Sequence, residues 1–319
     1  MANVGVDSLV VLVEWICWGS VALLLVGWMV RTLGVKTSRP ARWLNRFPRA
    51  SNFVAARTSW NTLAGLPLTL ILCAGLLFLT IHASSLFDTT SDNRVAVLDL
   101  RVARFFSTVR TPQIVTVFTL VTAFGYWGVI FTLGIAVTLL FWMRGRSRYV
   151  AGIWLALLGN QTSVTVLKIL FGRTRPDVAF YSESSFSFPS GHAAVSAAFF
   201  GYLTYVVLRE KMVMGWKAYG VGSLAILLIG VSRLVLAEHY LSDVLGGYLV
   251  GGLWAFLGAV WVERGLSVAG HDVPAVAPPR RTAQIAVVGA ALVVLWLVVA
   301  NYERTRVLLP AVTQTAPGG

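Results

Sequence analysis

Eight apolar stretches, each near the length of a bilayer crossing, decide what this chain can fold into. They lie near residues 9–30, 62–82, 113–142, 149–171, 190–208, 216–237, 244–262 and 283–301. A helix rises about 1.5 Å per residue, so roughly 20 apolar residues cross the hydrocarbon layer. Inside that layer the backbone must satisfy its own hydrogen bonds, and unbroken helices do so. The expected fold class is therefore all-α, a polytopic transmembrane helical bundle of about eight spans. Composition agrees: 12% of the residues are charged and 57% hydrophobic, against about 25% charged in soluble domains. The first stretch has no basic residue before it and cations after it, so it reads as a span rather than a leader peptide. Cys17 and Cys73 fall inside apolar runs and read as small core residues, with no disulfide or metal site implied.

The net charge is +13. The cations sit in short runs between apolar segments, which points to anionic lipid headgroups at the basic loops as partners and away from nucleic acid. Seven lie between the first two spans: Arg31, Lys36, Arg39, Arg42, Arg46, Arg49 and Arg57, with Trp43, Phe47, Phe53 and Trp60 interleaved. That stretch reads as interfacial. Loops on this side of the bundle hold 16 Lys and Arg, and those on the other side hold 10. The richer side is expected to be cytoplasmic. Both termini then fall outside the cell inner membrane. In the mixed-charge loop 83–112, Leu98, Leu100, Val102, Phe105 and Phe106 fit a short amphipathic helix. It either lies across the mouth of a site or caps the bundle.

Three polar clusters interrupt the apolar runs, all on the outer side. The first holds Lys168 and Arg175, followed by Pro176; if the helix continues, their seven-residue spacing puts both near one face. Arg173, between them, reads as a cation reaching for the headgroups. The second is Pro189-Ser190-Gly191-His192, a helix start whose free N–H groups and dipole favour an anion. Taken alone it is also an ordinary helix cap. The third is Ser232-Arg233, then His239 and Asp243, four apart and neighbours on a helix. A carboxylate on one imidazole nitrogen frees the other to attack. Arg233 is either a further cation for an anion or the counterion of Glu238 or Asp243. Together the clusters supply charge neutralisation, a nucleophile with its orienter, and an acid, which suffices for phosphoryl transfer without a metal.

These residues resemble the type 2 phosphatidic acid phosphatase superfamily, which includes vanadium haloperoxidases and glucose-6-phosphatase. The family pattern KxxxxxxRP, PSGH, SRxxxxxHxxxD is met by Lys168 with Arg175-Pro176, by Pro189 to His192, and by Ser232-Arg233 with His239 and Asp243. The resemblance implies a six-helix phosphatase core at residues 62–262. It leaves an extra helix and basic stretch at 1–61, and a loop, extra helix and tail at 263–319. It implies that Lys168, Arg175, Ser190, Gly191 and Arg233 bind phosphate. It implies His239 as a nucleophile forming phosphohistidine, Asp243 as its orienter and His192 as the acid on the leaving alkoxide. No metal or other cofactor is implied.

The expected function is a membrane phosphatase acting on a lipid phosphate or diphosphate, of the undecaprenyl pyrophosphate, phosphatidic acid or phosphatidylglycerophosphate class, at the extracytoplasmic face. One alternative is a lipid phosphotransferase using the same site. Another is a non-enzymatic lipid transporter, for which Asn160 and Gln161 in an apolar span leave room. A haloperoxidase fits less well, because relatives with that chemistry are soluble.

Overall fold

The computed structural model describes residues 94–269, 281–302 and 307–308, with Gly75 besides. The spans expected near 9–30 and 62–82 and the basic stretch between them lie outside the described residues. The chain divides into two units, residues 1–96 and 97–319; the second holds all three polar clusters.

Eight helices follow one another among the described residues: α1 Arg94–Thr108, α2 Pro112–Ala123, α3 Trp127–Met143, α4 Arg148–Phe171, α5 Gly191–Arg209, α6 Gly215–Val235, α7 Leu241–Ala269 and α8 Arg281–Tyr302. Five of them, α4 to α8, are long and apolar enough to cross a membrane. The molecule is thus a multi-pass helical membrane protein. Among the described residues one strand pairing occurs, a two-residue antiparallel one: β1 (Tyr181–Ser182) lies against β2 (Val307–Leu308).

The stretch 113–142, expected as one span, is instead two helices, α2 and α3, bent by 42°. The break falls at Phe124-Gly125-Tyr126, and Gly125 explains it. A Cβ there would fall 2.5 Å from Ile229 and 3.3 Å from His192. The bend lets the α2–α3 junction press its backbone against a residue of the second polar cluster.

The core is built where α5 packs against α7, α4 and α6. Ile153, Leu157, Val195, Phe199, Tyr202 and Val206 fill it. Small residues set the helix spacing. A Cβ at Gly247 of α7 would meet the Ser190 carbonyl oxygen at 2.6 Å, so α7 lies almost on the start of α5. That close approach brings the third polar cluster beside the second. The α1 helix turns Asp99 and Ala103 inward and leaves Leu98 and Phe105 exposed. Phe106 packs onto the buried Ala193, Leu234 and Val244, so the helix divides its apolar side chains between the bundle and the outside, as suits a lipid interface.

Asn160 is fully buried in α4, and neither its amide nitrogen nor its oxygen has a partner among the described residues. It does not bond across to another of the described helices.

Candidate functional site

Four helix ends meet at one end of the bundle. Lys168 lies in the last turn of α4, Ser190 is the N-cap of α5, Arg233 lies in the last turn of α6, and Asp243 opens α7. The helix does not carry through from Lys168 to Arg175. It stops at Phe171 because Gly172 takes a left-handed conformation at φ 54°. That conformation suits glycine as a helix terminator. The two cations therefore do not share a helix face; the connecting loop returns Arg175 to the cup by another route. Lys168 Nζ donates to the Phe186 carbonyl of the same loop.

The loop from 172 to 190 is tied to the α6–α7 turn on every side. Phe180 N donates to Leu236 O at 3.0 Å, Tyr181 N to Glu238 Oε1 at 2.7 Å, and Ser190 N to Asp243 O at 3.0 Å. In that turn Ala237 is held at φ 49°. A non-glycine residue there is strained, and such strain persists where the surroundings over-determine the backbone. It directs the next two side chains, Glu238 and His239, into the protein.

His239 is 2% exposed. Arg175 Nη1 stands 3.3 Å from its Nε2. On the other side, Ser187 Oγ is 3.4 Å from Nδ1 and Asp243 Oδ2 is 3.6 Å away. Asp243 is thus a neighbour of the imidazole rather than its direct hydrogen-bond partner, with Ser187 bridging at 2.5 Å to Oδ2. The Asp243 carboxylate is fixed in turn by Tyr240 N at 2.9 Å and by Arg173 Nη1 at 2.6 Å.

Burial, then the nearby Arg175 and Arg233, hold the His239 pKa well below the usual 6.5. The ring is neutral at neutral pH with a lone pair available. Above pH 6.5 it is neutral in folded and unfolded chains alike. As pH falls below 6.5 the unfolded chain takes the proton first, so acid destabilises the fold. The slope from this residue is at most about 1.4 kcal/mol per pH unit. Thermal unfolding in detergent between pH 7 and 5 should show a steeper loss for the wild type than for His239→Gln.

Arg173 is not a headgroup cation. Its guanidinium bridges Asp243 and, through Nη2 at 2.7 Å, Asp99 of α1. It also lies 4.2 Å over the Tyr240 ring. Asp99, 1% exposed, further accepts from Ser242 N at 3.0 Å and Ser242 Oγ at 2.5 Å. So α1 reaches Arg173 and Ser242 with a buried carboxylate.

Arg233 is fully buried and bonds Thr122 of α2 at 3.1 Å. Its carboxylate neighbours are Glu183 at 3.3 Å and Glu238 at 3.6 Å. Arg175 contacts the same two, Glu183 at 2.5 Å and Glu238 at 3.6 Å. Glu183 therefore bridges the two guanidiniums, and Glu238 stands 3.6 Å from each of them. Ser190 does not behave as an ordinary cap. Its side chain makes no capping bond, and its buried Oγ has no partner among the described residues. The buried Nε of Arg233 is likewise unpartnered among them. Buried donors of this kind are normally satisfied. Gly191 adds backbone that can approach an anion closely. His192 Nε2 lies 3.2 Å from the hydroxyl of Tyr302, the last residue of α8.

All eight residues expected from the sequence gather at this end. Asp99, Arg173, Glu183, Ser187 and Tyr302 join them without having been expected there, and Glu238 stands by Arg233 as one reading of that arginine allowed. Arg173 sits inside the first cluster, but its spacing did not show which way its side chain reaches. For Asp99 and Tyr302, far along the chain, there was no signal.

Residues 147–266 match the family model of the PAP2 superfamily. Over 101 residues, 29% of this chain and 47% of the relative, the sequence is 39% identical to phosphatidylglycerophosphatase B of Bacillus subtilis (strain 168). Over 131 residues, 38% of this chain and 51% of the relative, it is 28% identical to a lipid A 1-phosphatase of Rhizobium etli. These matches span about half the length of the curated relatives. The fold is similar to the crystal structure of a transmembrane PAP2 type phosphatidylglycerolphosphate phosphatase from Bacillus subtilis. That likeness has TM-score 0.55 and 27% identity, and covers 64% of this chain and 98% of that one.

Proposed function

We propose, from the match of residues 147–266 to the PAP2 superfamily model, that the chain is an integral-membrane lipid phosphate phosphatase working through a phosphohistidine. The carrying observation is the setting of His239, with Arg175 on its Nε2 side and the Ser187–Asp243 pair on its Nδ1 side. That arrangement favours a proton on Nδ1 and a lone pair on Nε2, facing the guanidinium that would hold a phosphate.

In this reading Arg175, Arg233, Lys168, Ser190 Oγ and the Gly191 N–H neutralise and orient the phosphate oxygens. Nε2 of His239 attacks phosphorus, the bond to the lipid oxygen breaks, and its electron pair leaves with that oxygen. His192 supplies the proton the oxygen needs. A water then attacks the phosphohistidine, giving up a proton to His192, and inorganic phosphate leaves with the Nε2 lone pair restored. Asp243 orients the ring and offsets the charge it acquires. The positive-inside count supports placing the cup at the extracytoplasmic face of the inner membrane, where a lipid headgroup can enter while its tails stay in the bilayer. Phosphatidylglycerophosphate, phosphatidic acid and undecaprenyl pyrophosphate fit the class, since the named residues touch only the phosphate. The basic loops on the cytoplasmic side would bind anionic headgroups.

The test is a phosphate-release panel over mono- and diphosphate lipids with one purified preparation in excess chelator. Release from at least one of these lipids is expected. No release from any of them, or release that stops with chelator, would contradict the reading. If an added alcohol captures the phosphoryl group with little free phosphate, the same site is a phosphotransferase.

Glu183 gives a separate expectation. Its carboxylate occupies both clamp guanidiniums, so a substrate phosphate must displace it. Glu183→Gln should tighten competitive inhibition by inorganic phosphate about fivefold, the effect of removing a partly exposed ionic competitor. Unchanged or weaker inhibition would show that the carboxylate organises the clamp instead.

A further inference from the structure

The last helix lies outside the residues that match the family, and most of it is apolar surface, with Ile285, Leu292, Val293 and Trp296 exposed. Its final residue behaves differently. Tyr302 is 3% exposed, and its hydroxyl lies 3.2 Å from Nε2 of His192. Its ring is packed edge-on against Tyr126, with centroids 5.3 Å apart, at the same α2–α3 break that presses Gly125 onto His192. Just beyond, β2 pairs with β1 on the loop that carries Glu183. Two separate contacts thus bring the C-terminal segment to the cup.

We propose that Tyr302 is a positioning residue for the proton-donating step, holding the His192 imidazole through Nε2 so that the lipid oxygen leaves protonated. His192 gives up the proton on Nδ1 and keeps the one on Nε2, so the hydroxyl accepts from Nε2–H before and after the proton moves. Tyr302 keeps its own proton, and the proton balance is that of the His192 step. This inference rests on the proposed phosphatase reading, and it gives the extra helix a part in the chemistry.

The experiment compares Tyr302→Phe with wild type on two substrates, a lipid monophosphate and p-nitrophenyl phosphate. Phenylalanine keeps the ring against Tyr126 and removes only the hydroxyl. An alkoxide needs its proton to leave, whereas a nitrophenolate hardly does. General acids contribute about 10²- to 10⁴-fold, so loss of orientation should lower kcat on the lipid about tenfold and on the aryl ester about twofold or less. In a His192→Ala background the change should cost little more, because both act on one proton. An equal loss on both substrates, no loss on either, or a full further loss without His192 would overturn the inference while leaving the phosphatase reading standing. A wild type inactive on both substrates would overturn that reading, and this inference with it.

Discussion

Replacing His239 with Ala should lower phosphate release from a lipid phosphate by about 10⁴-fold or more, the scale seen when a covalent nucleophile is removed. The residue has no substitute in the cup. His192 faces Tyr302, and Asp243 is committed to Arg173, Ser187 and the Tyr240 amide. The loss should fall on kcat. Arg175, Arg233 and Ser190 remain in place, so substrate still binds and KM should change little. The fold should survive, because the imidazole is replaced by a smaller neutral group beside cations. Activity within tenfold of wild type would remove His239 from the mechanism.

The second large effect is expected at Arg173. Its guanidinium is the shared partner of two buried carboxylates, Asp99 and Asp243, at 2.7 and 2.6 Å. Arg173→Met leaves both charges without that cation, and stranding a buried charge costs about 3–5 kcal/mol. Thermal or denaturant unfolding in detergent should register that loss. Activity should fall as well, since Asp243 loses the bond that fixes its Oδ1. Asp99→Asn combined with Arg173→Met should be less harmful than the sum of the two, because residues in one network couple. Additive losses would mean that α1 and the active-site turn are held independently.

These two residues also mark how far the sequence could be read. His239 was legible because a histidine, an aspartate four residues on and an arginine six before form a local pattern at a helix start. The same holds for Lys168, Arg175, the Ser190–His192 turn and Arg233, and the apolar runs gave the spans that hold them. Arg173 was not legible, because spacing alone cannot tell a cation that reaches for headgroups from one that reaches inward. Its partner Asp99 lies 74 residues away in a mixed-charge loop, and such a pairing exists only once the helices pack. The reading of Lys168 and Arg175 as one helical face failed for a local reason, since Gly172 ends the helix between them. The break between α2 and α3 was hidden because Phe124, Gly125 and Tyr126 do not lower the apolar character of the run. Tyr302 lay at the end of the last predicted span, where nothing in the pattern distinguished it from a tyrosine at the membrane interface.

The most direct measurement is to quench the purified protein during turnover of a lipid labelled in its phosphate and ask what the protein carries. A nucleophilic imidazole in a cationic cup predicts label bound covalently to the wild type, lost in acid and retained in alkali as a phosphohistidine is, and missing from His239→Ala. Label that persists in that variant, or full turnover with no label trapped on the wild type at any time, would contradict it.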